Sequence, residues 1–145
     1  AAEYLVESIR DARNKNQVVD SVKNERERIK ALTSKAAVDS TMIFGSPVSL
    51  WYELRNYDPV ATAQTLDMPM LFIFASRDYQ VTSVDSEMWL NAFKSNEKVT
   101  FKMYPKLNHF FVEGEGKSMP SEYEKPGNVD IGLINDMASW LKGIK

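Results

Sequence analysis

Pro69-Met70-Leu71-Phe72-Ile73-Phe74-Ala75 runs into Ser76-Arg77-Asp78-Tyr79-Gln80-Val81, and Val99-Thr100-Phe101-Lys102-Met103-Tyr104 runs into Pro105-Lys106-Leu107-Asn108-His109-Phe110-Phe111. Met70 to Phe74 is a continuous apolar run, as in a strand buried on both faces of a parallel sheet. Val99, Phe101 and Met103 alternate with Thr100, Lys102 and Tyr104, which predicts a second strand with one less buried face. Between them a helix is expected from about Ser83, with Val84, Met88, Leu90 and Phe93 inward. Asn128 can cap a last helix carrying Ile131, Ile134, Met137, Ala138 and Leu141. Strand, helix, strand, helix is a βαβα pattern, so the expected class is α/β, with parallel strands and right-handed crossovers.

Upstream, residues 1–35 read as two helices. Leu5, Ile9 and Ala12 share one face, Asn14-Lys15-Asn16 is a plausible break, and Val18, Val22, Ile29 and Leu32 mark a second stripe. The other face, Lys23 to Arg28, alternates in sign and reads as a solvated surface with weak intrahelical pairs. The stripe is too short for the three or four heptads of a coiled coil. Ser46-Pro47 is a helix-start signal, Ser as cap and Pro at the first position, and Asp58-Pro59 repeats it. Ala1-Ala2-Glu3 enters a periodic pattern with no starting Met and no cap, which reads as a cut from a longer chain.

The chain has 145 residues, 43% of them hydrophobic, enough for one globular domain. A formal charge of −2 gives no support to nucleic-acid or anionic-membrane binding. No apolar run approaches the ~18 residues of a membrane span, and no signal peptide is evident. The absence of cysteine excludes disulfides and cysteine-ligated metal, and a single histidine argues against a multi-His metal site. The compartment stays open, with the cytoplasm favoured.

In an open parallel sheet the loops leaving the carboxyl ends of the strands form the ligand crevice. Asp78 and His109 occupy two such loops, 31 positions apart. A histidine there can act as a general base because its pKa lies near neutrality. A carboxylate beside it fixes the tautomer and stabilises the imidazolium that forms. Taken singly, each has an ordinary reading as well, the Asp as a turn or cap residue and the His as a loop side chain.

Residues 69–81 resemble the segment around the acidic residue of α/β-hydrolases, Pro-x-Leu-x-x-x-Gly-x-x-Asp-x-x-Val. Residues 104–111 resemble the histidine segment, Tyr-x-x-x-x-His-x-Phe. Within that superfamily the chain is most similar to dienelactone-hydrolase-like and acyl-peptidase-like serine esterases, which share the Arg-Asp-Tyr-Gln-Val loop and the Glu-Gly-Glu-Gly-Lys-Ser stretch after the His. The resemblance covers about residues 46–143. It implies a partial α/β-hydrolase fold, the last parallel strands and helices of the sheet, over residues 46–145, with residues 1–45 as a helical cap or lid segment. It makes Asp78 the triad acid and His109 the base. Ala75 stands where Gly is usual and Lys106 where Gly is frequent; neither touches the pair.

No Gly-x-Ser-x-Gly occurs in the sequence. Ser46 reads as a cap and Ser76 as a loop residue, so the resemblance implies a nucleophile and oxyanion donors upstream of Ala1. Gly114-Glu115-Gly116-Lys117-Ser118 looks like part of a phosphate loop, yet the Walker spacing needs Gly where Phe111 stands. The polar stretch 113–128 is better used as a rim to the site. Tyr79 and Phe110 flank the proposed acid and base and are the candidates for lining an acyl pocket. The resulting expectation is part of a serine hydrolase acting on a small carboxylic ester, or less readily a peptide, with no cofactor, and with the 145 residues inactive alone. The rival is a non-catalytic module using its helices as an interaction surface. With one strand edge uncovered, the fragment is also expected to self-associate as a dimer or domain swap.

Overall fold

The structure, a computed structural model, describes residues 12–33 and 42–144. The chain divides into two compact units, Ala2–Pro59 and Val60–Lys145. The expected boundary between a cap and a core, at 45–46, lies inside the first of these.

The first unit begins with helix α1, Ala12–Lys30. The expected break at Asn14-Lys15-Asn16 does not occur: Asn is only ~0.6 kcal/mol worse than Ala in a helix, and no Gly or Pro enforces a stop. The face with Leu5 and Ile9 lies outside the described residues. Val18, Val22 and Ile29 are half-buried, while Arg28–Glu25 and Lys30–Glu27 pair along the solvated side at 2.7 and 2.8 Å. Strands β1, Met42–Ile43, and β2, Ser46–Pro47, form an antiparallel hairpin. Its two-residue turn, Phe44-Gly45, takes positive φ at both positions (48° and 73°), the turn whose twist suits tight hairpins. That turn draws Ser46 and Pro47 into β2, so helix α2, Val48–Asn56, starts one residue later than the Ser-Pro signal suggests, with Pro47 as its N-cap and no side-chain cap. Ile43 and Val48 are the buried centre, and the Trp51 indole donates to the Ile43 carbonyl at 2.6 Å. Arg55 donates to the Lys30 carbonyl at 2.8 Å, a cation closing the carboxyl end of α1.

Helix α3, Pro59–Gln64, follows Asp58 as the second helix-start signal, Asp58-Pro59, suggests. The second unit is built on two parallel strands, β3, Met70–Ala75, and β4, Val99–Tyr104, in continuous register from Met70↔Val99 to Ala75↔Tyr104. Helix α4, Ser83–Phe93, connects them, and helix α5, Ile131–Gly143, follows. Alternation along β3 sends Phe72 and Phe74 to one face and Ile73 and Ala75 to the other. On the first face Phe72 packs against Trp89 (4.9 Å between centroids) and Phe93 (5.5 Å) of α4, and across the register against Phe101 (5.2 Å). On the other, Ala75, Leu107 and Leu133 form a buried cluster joined by Ile73, Tyr104 and Phe111. Helices on both faces of the pair are what an uninterrupted apolar strand requires.

Three side-chain expectations are corrected. Val84 and Met88 of α4 are exposed; the sheet-facing side is Ser86, Trp89 and Phe93, because the two large rings claim Phe72. On β4, Met103 is exposed whereas Tyr104 packs inward, its hydroxyl donating to Asp136 at 2.7 Å. On α5, Ile131, Ile134, Met137 and Leu141 are exposed, Ala138 is half-buried, and the helix turns Leu133, Asp136 and Trp140 toward the sheet. A carboxylate tolerates that side because Tyr104 and Lys102 of β4 reach it. The cap of α5 is Asp130, which accepts from the Leu133 amide at 2.8 Å, and not Asn128: both are good caps, but Asp130 immediately precedes Ile131.

Candidate active site

The loops that leave β3 and β4 are joined before either reaches its candidate residue, Asp78 or His109. The Ser76 amide donates to the Tyr104 carbonyl at 2.9 Å and the Arg77 amide to the Leu107 carbonyl at 3.1 Å, so pairing continues past the strand ends. Asp78 then turns back, its amide donating to the Ala75 carbonyl. One carboxylate oxygen, Oδ1, accepts from the amides of Gln80 (2.7 Å) and Val81 (2.9 Å), an Asx-type turn. The other oxygen, Oδ2, lies 2.8 Å from Nδ1 of His109. The Asp78 side chain is 9% exposed and that of His109 33%, a buried carboxylate behind a ring that solvent can reach.

His109 stands on a small loop wound around Asn108. The buried Asn108 accepts at Oδ1 from the amides of Phe110 (3.0 Å) and Val112 (3.1 Å), while its own amide donates to the Val112 carbonyl. Phe111 closes the loop at φ 57°, a strained conformation for an aromatic residue, with its amide donating to Asn108. Since an ionised carboxylate only accepts, Asp78 holds the proton on Nδ1 and leaves Nε2 to meet a second partner.

Arg77, Asn108, Ser118 and Glu122 surround the pair and were not singled out by spacing. The Arg77 guanidinium is 7% exposed, pairs with Glu122, and donates to the carbonyls of Gly116 (2.8 Å) and Glu115 (3.0 Å). A Cβ at Gly114 would overlap this guanidinium, which gives one glycine of the Glu-Gly-Glu-Gly stretch a steric reason. The polar stretch 113–128 thus contains order: a 3₁₀ turn at Pro120–Glu124 and a buried Ser118. Burial tends to raise the Glu122 pKa, but hydrogen bonds from Asn108, Arg77 and Ser118 outweigh it and hold the carboxyl below its ordinary range. A position in sequence next to Asp78 or His109 is the only signal that pointed to Arg77 and Asn108. Nothing local marked Glu122.

Tyr79 is 5% exposed and its ring stacks on Tyr123 at 5.8 Å. Burial first, and then the neighbouring Tyr123 hydroxyl, push its phenol up to about 12. Its place is within the packing beneath the loops. Phe110 is 54% exposed, edge-on to His109 (5.5 Å) and to Tyr123 (4.4 Å), and lines a cavity of about 270 Å³ with Val112, Tyr123, Lys125 and Val129. A larger, open depression of about 760 Å³ lies at the amino ends of the strands, walled by Gln64, Asp67, Asn96 and Lys98. Its charged pair, Asp67 with Lys98, is a solvent-exposed surface ion pair, and ligand crevices of parallel sheets lie at the other end.

A dyad on these two loops is the arrangement that the α/β-hydrolase resemblance implies, and the profile of the dienelactone hydrolase family matches residues 31–144. The chain belongs to the dienelactone hydrolase family. Its fold is accordingly part of an α/β-hydrolase, with β3 and β4 as parallel strands of the sheet. An esterase of Thermotoga maritima, Esterase EstD, is 41% identical over 113 residues, 78% of this chain and 27% of the relative. The chain therefore spans about a quarter of the length of that curated relative. No solved structure matches it significantly.

Proposed function

We propose that Asp78 and His109 are the acid and base of a Ser-His-Asp triad that hydrolyses carboxylic esters. The observation that carries the reading is the 2.8 Å contact of Asp78 Oδ2 with His109 Nδ1 at the carboxyl ends of adjacent parallel strands. With the proton fixed on Nδ1, Nε2 accepts the proton of a serine hydroxyl as that oxygen attacks the ester carbonyl. The resulting imidazolium, stabilised by Asp78, then protonates the departing alkoxide. Water activated by the same nitrogen hydrolyses the acyl-enzyme, so the scheme needs no metal or organic cofactor. Since the sequence carries no Gly-x-Ser-x-Gly, we assign the nucleophile and the oxyanion donors to chain outside these 145 residues, and residues 1–45 to a cap or lid segment. A small ester is the expected substrate. Phe110 stands at the mouth of the site, where an acyl or alcohol group would pass.

Hydrolysis of p-nitrophenyl esters by the full-length protein tests this. His109→Ala is expected to lower kcat by at least ~10⁴-fold, and the 145 residues alone to be inactive. Activity of His109→Ala within about tenfold of the parent would overturn the assignment.

A further inference from the structure

We propose that Glu122 is a positioning residue for the Asp78–His109 pair, an inference that rests on the triad reading above. One carboxylate takes hold of both catalytic loops, each at the residue immediately before the functional one. Oε1 pairs with the guanidinium of Arg77, which precedes Asp78. Oε2 accepts at 3.2 Å from the side-chain amide of Asn108, which precedes His109. Ser118, 1% exposed, donates to the same Oε2 at 3.1 Å and sets the carboxylate from the third side.

Both intermediaries are themselves fully committed. Besides Glu122, Arg77 binds the carbonyls of Gly116, Glu115 and, at 3.4 Å, Lys106. Asn108 bonds the amides of Phe110 and Val112 through its oxygen. Neither can shift far without breaking several bonds, and each is one peptide unit, about 3.8 Å between Cα atoms, from a member of the pair. Glu122 closes the circuit between them: acid, Arg77, Glu122, Asn108, base. It touches no reacting atom, so its effect runs through the spacing and angle of Asp78 and His109. A misplacement of ~1 Å at such a pair is worth ~10²-fold in rate.

A purely structural role would lower stability and leave the His109 ring undisturbed, so the test reads the ring. In the full-length protein, the Nδ1 proton of His109 is followed by ¹⁵N–¹H NMR, assigned by its loss in His109→Asn. Its solvent-exchange rate is compared with kcat and KM for a p-nitrophenyl ester. Glu122→Gln keeps an acceptor for Asn108 and Ser118 but removes the charge facing Arg77. It is expected to speed exchange and lower kcat, each about tenfold, with KM within about twofold. Tyr104→Phe, which removes the hydroxyl bond to Asp136 on the α5 side, is the stability control and is expected to leave both readouts unchanged. Should Glu122→Gln fail to fold, Ser118→Ala strips a single donor from Oε2 and is expected to shift both readouts about threefold. If exchange and kcat stay within about twofold of the parent while thermal stability falls, the positioning role is overturned. A parent protein with no hydrogen-bonded Nδ1 proton on His109 would overturn the triad reading itself, and the positioning role with it.

Discussion

Asp78→Asn should silence the site without disturbing its shape, and the reason lies in which oxygen does what. Oδ1 of Asp78 is held by the amides of Gln80 and Val81 at 2.7 and 2.9 Å, while Oδ2 faces His109. In the variant, the single carbonyl oxygen is claimed by those two amides, which turns the NH₂ group toward Nδ1. A donor there forces Nδ1 to accept and moves the ring proton to Nε2, the nitrogen that in the proposed triad receives the proton of the serine. Flipping the amide back would leave two backbone donors facing an NH₂ group, at ~1–3 kcal/mol each. The wrong tautomer is therefore favoured by ~2–6 kcal/mol, and the midpoint of ~4 kcal/mol corresponds to a loss of ~10³ in kcat. Loss of the negative charge that stabilises the imidazolium adds to this, so ~10³–10⁴ is expected overall. Single-turnover kinetics on a p-nitrophenyl ester in the full-length protein measure the loss, and ¹⁵N shifts of the ring report the tautomer. A loss below about 30-fold, or a ring still protonated at Nδ1, would refute the reasoning.

Glu122 sets an acid limit. Its folded pKa lies below the ordinary carboxylate value of ~4.3, so its contribution is present above that value and is lost as pH falls through the folded pKa. Melting temperatures from pH 6 to pH 3 should fall more steeply for the parent than for Glu122→Gln; parallel curves would contradict this. Gly114→Ala puts a methyl group into the Arg77 guanidinium and is expected to cost ~1–3 kcal/mol in urea denaturation, whereas an unchanged midpoint would show that the arginine has room to move. Among the described residues β3 pairs on one side only, beside an apolar groove of about 450 Å³ lined by Leu71, Phe72, Trp89 and Trp140. Light scattering on the isolated 145 residues is therefore expected to give a dimer or larger at micromolar concentration, and a sharp monomer mass would count against it.

What the sequence made legible was governed by short range. The apolar run Met70–Phe74 and the alternation Val99–Tyr104 mark strands because each side chain's environment repeats along the backbone, and both strands form where expected. The helix starting at Ser83 was equally local, since Thr82 and Asp85 close its first turn, the Thr82 amide donating to Asp85 at 2.7 Å. Faces were harder. The apolar residues of α5 that the sequence offers, Ile131, Ile134 and Leu141, are exposed, whereas the half-exposed Asp136 meets β4 because Lys102 and Tyr104, more than thirty residues earlier, offer it partners. Glu122 was hidden for the same reason: in a stretch of Glu, Gly, Lys and Ser, nothing nearby distinguishes a part-buried, paired carboxylate from a solvated one. Only the approach of Arg77 and Asn108 gives it a role.

The register of the two strands explains why such a support exists at all. Ala75 pairs with Tyr104, so Asp78 lies three residues beyond the last rung and His109 five. Strands of a sheet stand about 4.8 Å apart, and a carboxylate and an imidazole meeting at 2.8 Å across that gap must approach from matched heights. The base-bearing loop therefore has two residues too many, and the excess must be folded away without loosening the ring. A turn takes up the excess, the Leu107 amide donating back to the Tyr104 carbonyl at 3.4 Å, and Asn108 then fixes the chain beyond His109 by gathering the amides of Phe110 and Val112 onto one oxygen, with Phe111 left-handed. The loop is closed on itself by the antiparallel bridge of Leu107 with Glu113, and it meets the Asp78 loop through the Arg77 amide and the Leu107 carbonyl. The side-chain amide of Asn108 that remains is turned outward to Glu122, which ties it to the loop bearing the acid. Between two loops of unequal length, the Arg77–Glu122–Asn108 chain thus adds a side-chain tie to the backbone one.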